Sequence, residues 1–352
     1  MEQKSRISKI NVVFLATVLI SIAAGYINFG KITTNRVVLL LISQVILIIP
    51  AVVYLIKEKQ SYTQTVRLKP IRVSTFLKLI LFTIFVTPVM TLVNALSQLF
   101  AENAIANTMT GITNENAIAT SLIAIALIPC IFEESVYRGL FYNEYRKVSP
   151  IKGMLVSALL FGLLHGNINQ CSYAIVMGLI FALVIEATDS ILSTMIMHFI
   201  INANSVVALY LYPELLRMLK NAYDTAQQSG NTELAQMITE AVGGTDFTME
   251  ALLEQSSELM NTVTVGDVFS AYGMSALVCG IIAFFIYRSI ARGEGQYEHV
   301  KSIFSRSNNT VVNTDVPYGE SRVKIFTLPL IIAVVILVIS MISYELMVRN
   351  II

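Results

Sequence analysis

Nine apolar stretches alternate with short polar connections along this chain of 352 residues. A helix of about 20 apolar residues crosses the hydrocarbon core of a bilayer, and each stretch approaches that length. Ser172–Ala187 is the shortest of them. The pattern predicts nine membrane-spanning helices: Ile10–Phe29, Val37–Ile56, Leu79–Phe100, Ala117–Tyr142, Pro150–Gly166, Ser172–Ala187, Ile191–Tyr212, Val268–Ile290 and Ile325–Met347.

The composition agrees with this interpretation. Hydrophobic residues make up 55% of the chain, charged residues only 13%, and the mean hydropathy is +0.69. In soluble proteins about a quarter of the residues are charged. The sequence therefore predicts an all-α fold, a polytopic transmembrane helical bundle. Its first apolar stretch lacks the small-residue cleavage site of a signal peptide, so we interpret it as a membrane anchor.

Basic residues predict the orientation of the bundle. If nine helices alternate in direction, 19 of the 24 lysines and arginines fall on one side, which the positive-inside rule assigns to the cytoplasm. We expect a multi-pass protein of the cell membrane with a cytoplasmic N-terminus and an extracytoplasmic C-terminus. The formal net charge of +1 gives no indication of a nucleic-acid partner.

The polar segments divide the chain into four predicted regions. Residues 1–116 form a transmembrane scaffold, 117–212 hold the candidate chemistry, 213–267 form an acidic extracytoplasmic insert, and 268–352 contain the last helices with a cytoplasmic linker. Residues 102–115 are interpreted as a short outside connection. The insert is expected to contain two amphipathic helices separated by a break, with these apolar and glycine positions: Leu215, Leu216, Met218, Leu219, Gly243, Gly244, Met249, Leu252 and Leu253.

The candidate chemistry begins with Glu133, Glu134 and Arg138, which interrupt an apolar stretch. Ionised groups inside a membrane are costly, and most of them are functional. Residues four apart share a helix face, so Glu134 is expected to face Arg138, and Glu133 to face Tyr137. This arrangement leaves one carboxylate ion-paired and the other available for chemistry. A purely structural clasp remains the alternative for this motif alone.

Two later helices each carry one histidine. Phe161 and His165 are spaced for one helix face, which Asn169 would continue, and His198 and Asn202 share another. Helix rise places these side chains and the glutamates on the cytoplasmic side of the midplane or near it. We therefore expect one shared cavity that opens to the cytoplasm. A single intramembrane histidine is as often a packing residue as a functional one.

The three motifs together resemble the signature of a known family. They are Glu133-Glu134-x-x-x-Arg138, Phe161-x-x-x-His165 and His198-x-x-x-Asn202, in this order within 70 residues. They resemble the CPBP family, also called ABI, which includes proteases of the CAAX prenyl protease 2 type. The resemblance covers about residues 117–212. It implies an intramembrane glutamate-type endopeptidase with an eight-helix core.

The resemblance also implies a role for each motif residue. Glu133 would be the general base and His165 would help to hold the attacking water. His198 and Asn202 would donate hydrogen bonds to the oxyanion. Glu134 and Arg138 would support the first motif. These roles agree with elementary chemistry, because hydrolysis without a nucleophilic side chain needs a base for water and donors for the tetrahedral oxyanion.

Other functions remain open at this stage. Two histidines and a carboxylate are also a donor set for zinc, although we expect no cofactor, since the motif residues have roles without a metal. The same polar groups would also suit a transporter or proton-coupled carrier, or a non-catalytic immunity or regulatory protein. The expected partners are a peptide or membrane-protein substrate and the lipid bilayer, with no nucleic acid.

Overall fold

The computed structural model describes residues 2–27, 29–31, 33–101, 104–244, 246–248, 251, 262–305 and 323–348. Within these residues the chain forms thirteen helices and no strand, which confirms the predicted all-α bundle. The helices are α1 Glu2–Gly25, α2 Arg36–Lys57, α3 Tyr62–Thr65, α4 Val73–Gln98, α5 Ala104–Glu115, α6 Ile118–Tyr145, α7 Pro150–Leu163, α8 Ile168–Thr188, α9 Ile191–Gln228, α10 Thr232–Val242, α11 Val265–Gly293, α12 Tyr297–Phe304 and α13 Leu328–Val348.

Eight of the helices described are long and apolar enough to cross a membrane: α1, α2, α4, α6, α8, α9, α11 and α13. The remaining predicted span, Pro150–Gly166, which is the fifth along the chain, is shorter than expected. As α7 it has 14 residues, about 21 Å at 1.5 Å per residue, whereas a hydrocarbon core measures about 30 Å. Gly166 has a φ of +69°, which only glycine adopts easily, and the helix ends just before it. The stretch predicted as the shortest is instead the 21-residue α8.

Contacts at one end of the bundle join segments that are far apart in the sequence. We call this the basic end. There Lys9 of α1 binds Glu58 after α2 at 2.8 Å, and the amide of Ile191 donates to the carbonyl of Arg67 at 3.2 Å. Glu294, after α11, accepts from the amide of Arg72 at 3.2 Å. The starts of α1, α4 and α9 and the ends of α2 and α11 therefore lie at the basic end.

The opposite end of the bundle is defined by contacts of α4, α6, α8 and α9. Asn169, in the first turn of α8, donates to Asn94 Oδ1 near the end of α4 at 3.0 Å. The hydroxyl of Tyr210 on α9 lies 3.0 Å from that of Ser121 at the start of α6. Because α7 connects the end of α6 to the start of α8, it runs from the basic end to the opposite end. α7 therefore completes an alternating order despite its length. Which membrane side each end faces remains a prediction.

α6 is irregular on both sides of the segment that ends with Glu133 and Glu134. Leu122–Leu127 and Ser135–Tyr142 are π-helical, while Ile128–Glu134 between them is α-helical. Single-turn π segments inside α-helices occur frequently at functional sites. Ser135–Tyr142 is also fully buried. The two glutamates therefore sit at a change of helix geometry inside the core.

The helices extend beyond the predicted outline at two places. α9 does not end at Tyr212 but continues through Pro213 to Gln228. A proline inside a helix removes one backbone donor and crowds the carbonyl four residues earlier, yet α9 continues beyond Pro213. Residues 104–115 form α5 rather than an open connection. The break expected at Gly243 is confirmed, since this residue ends α10 with a φ of +82°. The apolar positions Met249, Leu252 and Leu253 lie outside the described residues.

A second buried polar cluster lies at the basic end. Glu186 of α8 is 1% exposed and accepts hydrogen bonds from Tyr142 and from Arg146 Nη2, the latter at 2.8 Å. His299 of α12 completes the cluster, with its Nε2 2.5 Å from the same carboxylate. The predicted cytoplasmic linker between the last two spans thus contains a helix, α12, that is anchored to the core through His299.

Candidate active site

A buried ion pair on α6 forms the base of the site. Arg138 Nη1 donates to Glu134 Oε1 at 3.0 Å, and the two side chains are 1% and 0% exposed. This is the pair that the spacing predicts. Two aromatic rings also face the guanidinium, with its central carbon 4.1 Å from the centre of the Phe161 ring and 5.1 Å from that of Phe181. Cation–π contacts of this kind are strongest when they are desolvated.

His198 connects this ion pair to the second glutamate. Its Nδ1 lies 3.0 Å from Glu134 Oε1, and its Nε2 lies 3.9 Å from Glu133 Oε2. A carboxylate paired with Arg138 only accepts hydrogen bonds, so we assign the proton of His198 to Nδ1. The Nε2 atom then points toward Glu133. The four groups follow one another in the order Arg138, Glu134, His198, Glu133.

Glu133 is the accessible member of the set. Its side chain is 15% exposed, whereas that of Glu134 is completely buried. Its Oε1 accepts a hydrogen bond from Gln44 Nε2 at 2.9 Å. The Oε2 atom remains directed toward His198. One of the adjacent glutamates is therefore held in an ion pair, as the spacing predicts, and the other is partly exposed.

The structure places His165 beside the site rather than in its hydrogen-bond chain. It follows the end of α7, and its Nδ1 lies 2.7 Å from the carbonyl oxygen of Phe161. The rings of Phe161 and His165 contact each other edge to face at 4.9 Å between centroids. Within the described part of the chain, no ion pair joins His165 to Glu133. Phe161, which also contacts His198 at 6.2 Å, is the link between the two histidines.

Asn202 lies one helix turn beyond His198 on α9. Its Nδ2 donates to the carbonyl of Ile125 at 3.1 Å, in the first π-helical segment of α6. An amide nitrogen carries two N–H groups, so one donor remains for another acceptor. The hydrogen bond also fixes the position of α9 against α6.

Asn169 does not extend the Phe161 and His165 face. The chain turns at Gly166, and Asn169 belongs to the first turn of α8. Its amide nitrogen donates to Asn94 Oδ1 and to Ser97 Oγ, the latter at 2.8 Å. The residue therefore joins α8 to α4 at the opposite end of the bundle.

Sequence reasoning missed Gln44 and Phe181. Gln44 was counted as part of a scaffold helix without ionisable groups, yet it contacts Glu133 directly. The signal available in the sequence was an amide in the middle of an apolar span, where an unsatisfied polar group is costly. Phe181 carried no signal, because one phenylalanine among many in an apolar helix cannot be distinguished from core packing.

The donor set does not converge as a zinc site would require. In the part of the chain that the structure describes, no three side chains of His, Cys, Asp or Glu form a group that could hold a metal ion. Glu133 and His198 are neighbours, whereas His165 is bonded to a backbone carbonyl.

Comparison with known proteins identifies one family. Residues 115–204 match the family model described as type II CAAX prenyl endopeptidase Rce1-like. No curated protein and no solved structure matches the chain significantly. The matched range contains all three motifs and confirms the resemblance to the CPBP family drawn from them. The match supports a CAAX-type intramembrane protease in general terms.

Proposed function

We propose that the protein is an intramembrane endopeptidase that hydrolyses a peptide bond with a water molecule activated by Glu133. The observation that carries the proposal is the 3.9 Å between Glu133 Oε2 and His198 Nε2, with Glu133 accessible and the opposite face of His198 anchored to Glu134. A water oxygen about 2.8 Å from each atom, a normal hydrogen-bond distance, fits this separation.

The reaction needs one proton to move twice. Glu133 Oε2 takes a proton from the water as its oxygen attacks the carbonyl carbon of the peptide bond. The tetrahedral intermediate then collapses, the C–N bond breaks, and Glu133 returns the proton to the leaving nitrogen. The products are a new carboxyl group and a new amine. A general base of this kind typically contributes about 10²–10⁴-fold to the rate.

The remaining motif residues are proposed to donate hydrogen bonds to the oxyanion, to balance charge and to hold the water or the substrate. The free N–H of Asn202 is a candidate donor to the oxyanion, and His198 would be a second donor when its Nε2 carries a proton. Arg138 balances the charge of Glu134. His165, at the edge of the site, is proposed to hold the water or the substrate through its second nitrogen.

The substrate proposal is a membrane-associated peptide. The site lies within helices long and apolar enough to cross a bilayer. The matching family is named for prenylated peptides that end in a CAAX box. A synthetic prenylated peptide with such an ending is therefore the first probe to use.

The test uses the full chain in lipid nanodiscs with this peptide. Mass spectrometry should detect two fragments whose masses sum to the substrate plus one water. Glu133→Gln, reconstituted at the same amount, should form both fragments about 10²–10⁴-fold more slowly. Fragments from both proteins at equal rates would contradict the proposal.

A further inference from the structure

Gln44 lies outside the family match, on a helix that the sequence presents as scaffold. It is 7% exposed and stands in the middle of the apolar helix α2. The hydroxyl of the neighbouring Ser43 donates a hydrogen bond within the same helix, to the carbonyl of Leu40 at 2.7 Å. Gln44 instead reaches across to α6 and donates to Glu133 Oε1 at 2.9 Å.

The chemistry of the two groups fixes the orientation of the amide. An ionised carboxylate has no proton to donate, so only the nitrogen of Gln44 can face it. The hydrogen bond occupies Oε1 of Glu133 and leaves Oε2 on the side of His198. Gln44 thus distinguishes two oxygens that would otherwise be equivalent.

A structural link between α2 and α6 is the simpler explanation, because polar side chains join helices in membranes. One observation favours more than that. The amide oxygen of Gln44 is buried and has no hydrogen-bond partner among the described residues. A buried polar atom without a partner is costly, and such atoms in native proteins call for an explanation. Since this oxygen shares its carbon with the bonded nitrogen, it also lies beside the Glu133 carboxylate.

We propose that Gln44 is a positioning residue for Glu133, an inference that rests on the proposed function. By holding Oε1, the amide nitrogen leaves Oε2 as the oxygen that takes the proton from water. The same hydrogen bond persists when Glu133 carries that proton, so the proton stays on the oxygen nearest the leaving nitrogen. Among the described residues the amide oxygen of Gln44 has no partner, so the amide group is held by Glu133 alone.

The test compares Gln44→Met with Ser43→Ala in the full chain. Methionine keeps the length and unbranched shape of the side chain but removes both hydrogen-bonding atoms. With the prenylated CAAX peptide, Gln44→Met should lower kcat by about 10–100-fold, taking as the scale the loss found when hydrogen-bond partners of metal ligands are replaced. A transition-state effect lowers kcat and kcat/KM together, so KM should stay near the wild-type value. Ser43→Ala should match the wild type in both.

Two further readouts separate positioning from structure. The free energy of unfolding of Gln44→Met should stay close to that of the wild type, because the loss of the hydrogen bond to Glu133 and the removal of a buried oxygen without a partner have opposite effects. In a Glu133→Gln background it should cause no further loss of rate, since contacting residues that act together are not additive. Labelling of Glu133 by dicyclohexylcarbodiimide, measured by mass spectrometry, should be faster in Gln44→Met because Oε1 is no longer covered.

The outcomes distinguish the two proposals. If the wild type cleaves the peptide and Gln44→Met cleaves it equally fast, Gln44 is only a structural link and the inference is wrong. Unchanged labelling of Glu133 in Gln44→Met would overturn it independently of any substrate. If Glu133→Gln cleaves like the wild type, the proposed function fails, and the positioning role fails with it.

Discussion

Replacing Glu134 with glutamine tests the claim that a buried ion pair stabilises the part of α6 that carries the first motif. The substitution keeps the shape of the side chain and one acceptor oxygen but removes the negative charge. Arg138, 1% exposed, would then be a buried cation without a counter-ion. We expect a loss of stability as the main consequence.

The expected magnitude follows from the burial of the pair. Removing one partner of a buried ion pair typically costs about 3–5 kcal/mol, because the other charge stays desolvated. Phe161 and Phe181 still face the guanidinium, and desolvated cation–π contacts contribute about 2 kcal/mol or more. Since these contacts survive the substitution, we expect a value near 3 kcal/mol, at the lower end of the range.

The chain offers a matched control. Lys9 and Glu58 form an ion pair at 2.8 Å, nearly the same distance, but their side chains are 47% and 30% exposed. Exposed pairs contribute about 0–1 kcal/mol. Glu58→Gln and Glu134→Gln should therefore differ by about 2 kcal/mol or more in free energy of unfolding, measured by denaturant titration in the same detergent.

A double variant completes the test. Glu134→Gln with Arg138→Met removes the unpaired charge and should recover part of the lost stability, since apolar replacements of buried pairs are often neutral. Equal losses for Glu134→Gln and Glu58→Gln would refute the reasoning, because burial would then have no effect on the strength of the pair. If the double variant recovers no stability, the unpaired charge of Arg138 is not the cause of the loss in Glu134→Gln.

Three further predictions concern packing, metal and topology. A Cβ on Gly178 of α8 would lie 2.8 Å from the Cα of Ala158 on α7. Gly178→Ala should therefore lower the free energy of unfolding by about 1–3 kcal/mol. An unchanged free energy of unfolding would mean that the two helices are not in close contact. Cleavage should survive chelation, and stoichiometric zinc whose removal abolishes activity and whose return restores it would count against the metal-free mechanism. Cysteine introduced at Gln64 should react with a membrane-impermeant maleimide only from the cytoplasmic side, and cysteine at Ser229 only from outside; the reverse labelling would invert the predicted orientation.

The sequence predicted the parts of the site that depend on local geometry. Glu134 and Arg138 lie on one helix four residues apart, so helix geometry alone brings them together. The apolar lengths of the spans likewise predicted the bundle. His198 was correctly placed near the glutamates by depth, because its distance from the start of α9 follows from the helix rise.

The parts that depend on tertiary contacts or on helix ends could not be predicted in the same way. Gln44 meets Glu133 across 89 residues of sequence, and no pattern within α2 identifies its partner. His165 was assigned to a helix face, but the positive φ of Gly166 ends the helix before it. Pro213 suggested a boundary that α9 crosses, since one missing backbone donor did not outweigh continued helix formation.

The most direct test of the central claim is the initial cleavage rate of Glu133→Gln relative to the wild type in nanodiscs, with the prenylated CAAX peptide. Glu144→Gln is the matched control, because Glu144 is a buried carboxylate at the end of the same helix, bound to Lys147 at 2.6 Å and away from the site. We predict that Glu133→Gln is folded and slower by about 10²–10⁴-fold, the contribution of a general base, while Glu144→Gln cleaves like the wild type. A folded Glu133→Gln protein with the wild-type rate would contradict the account.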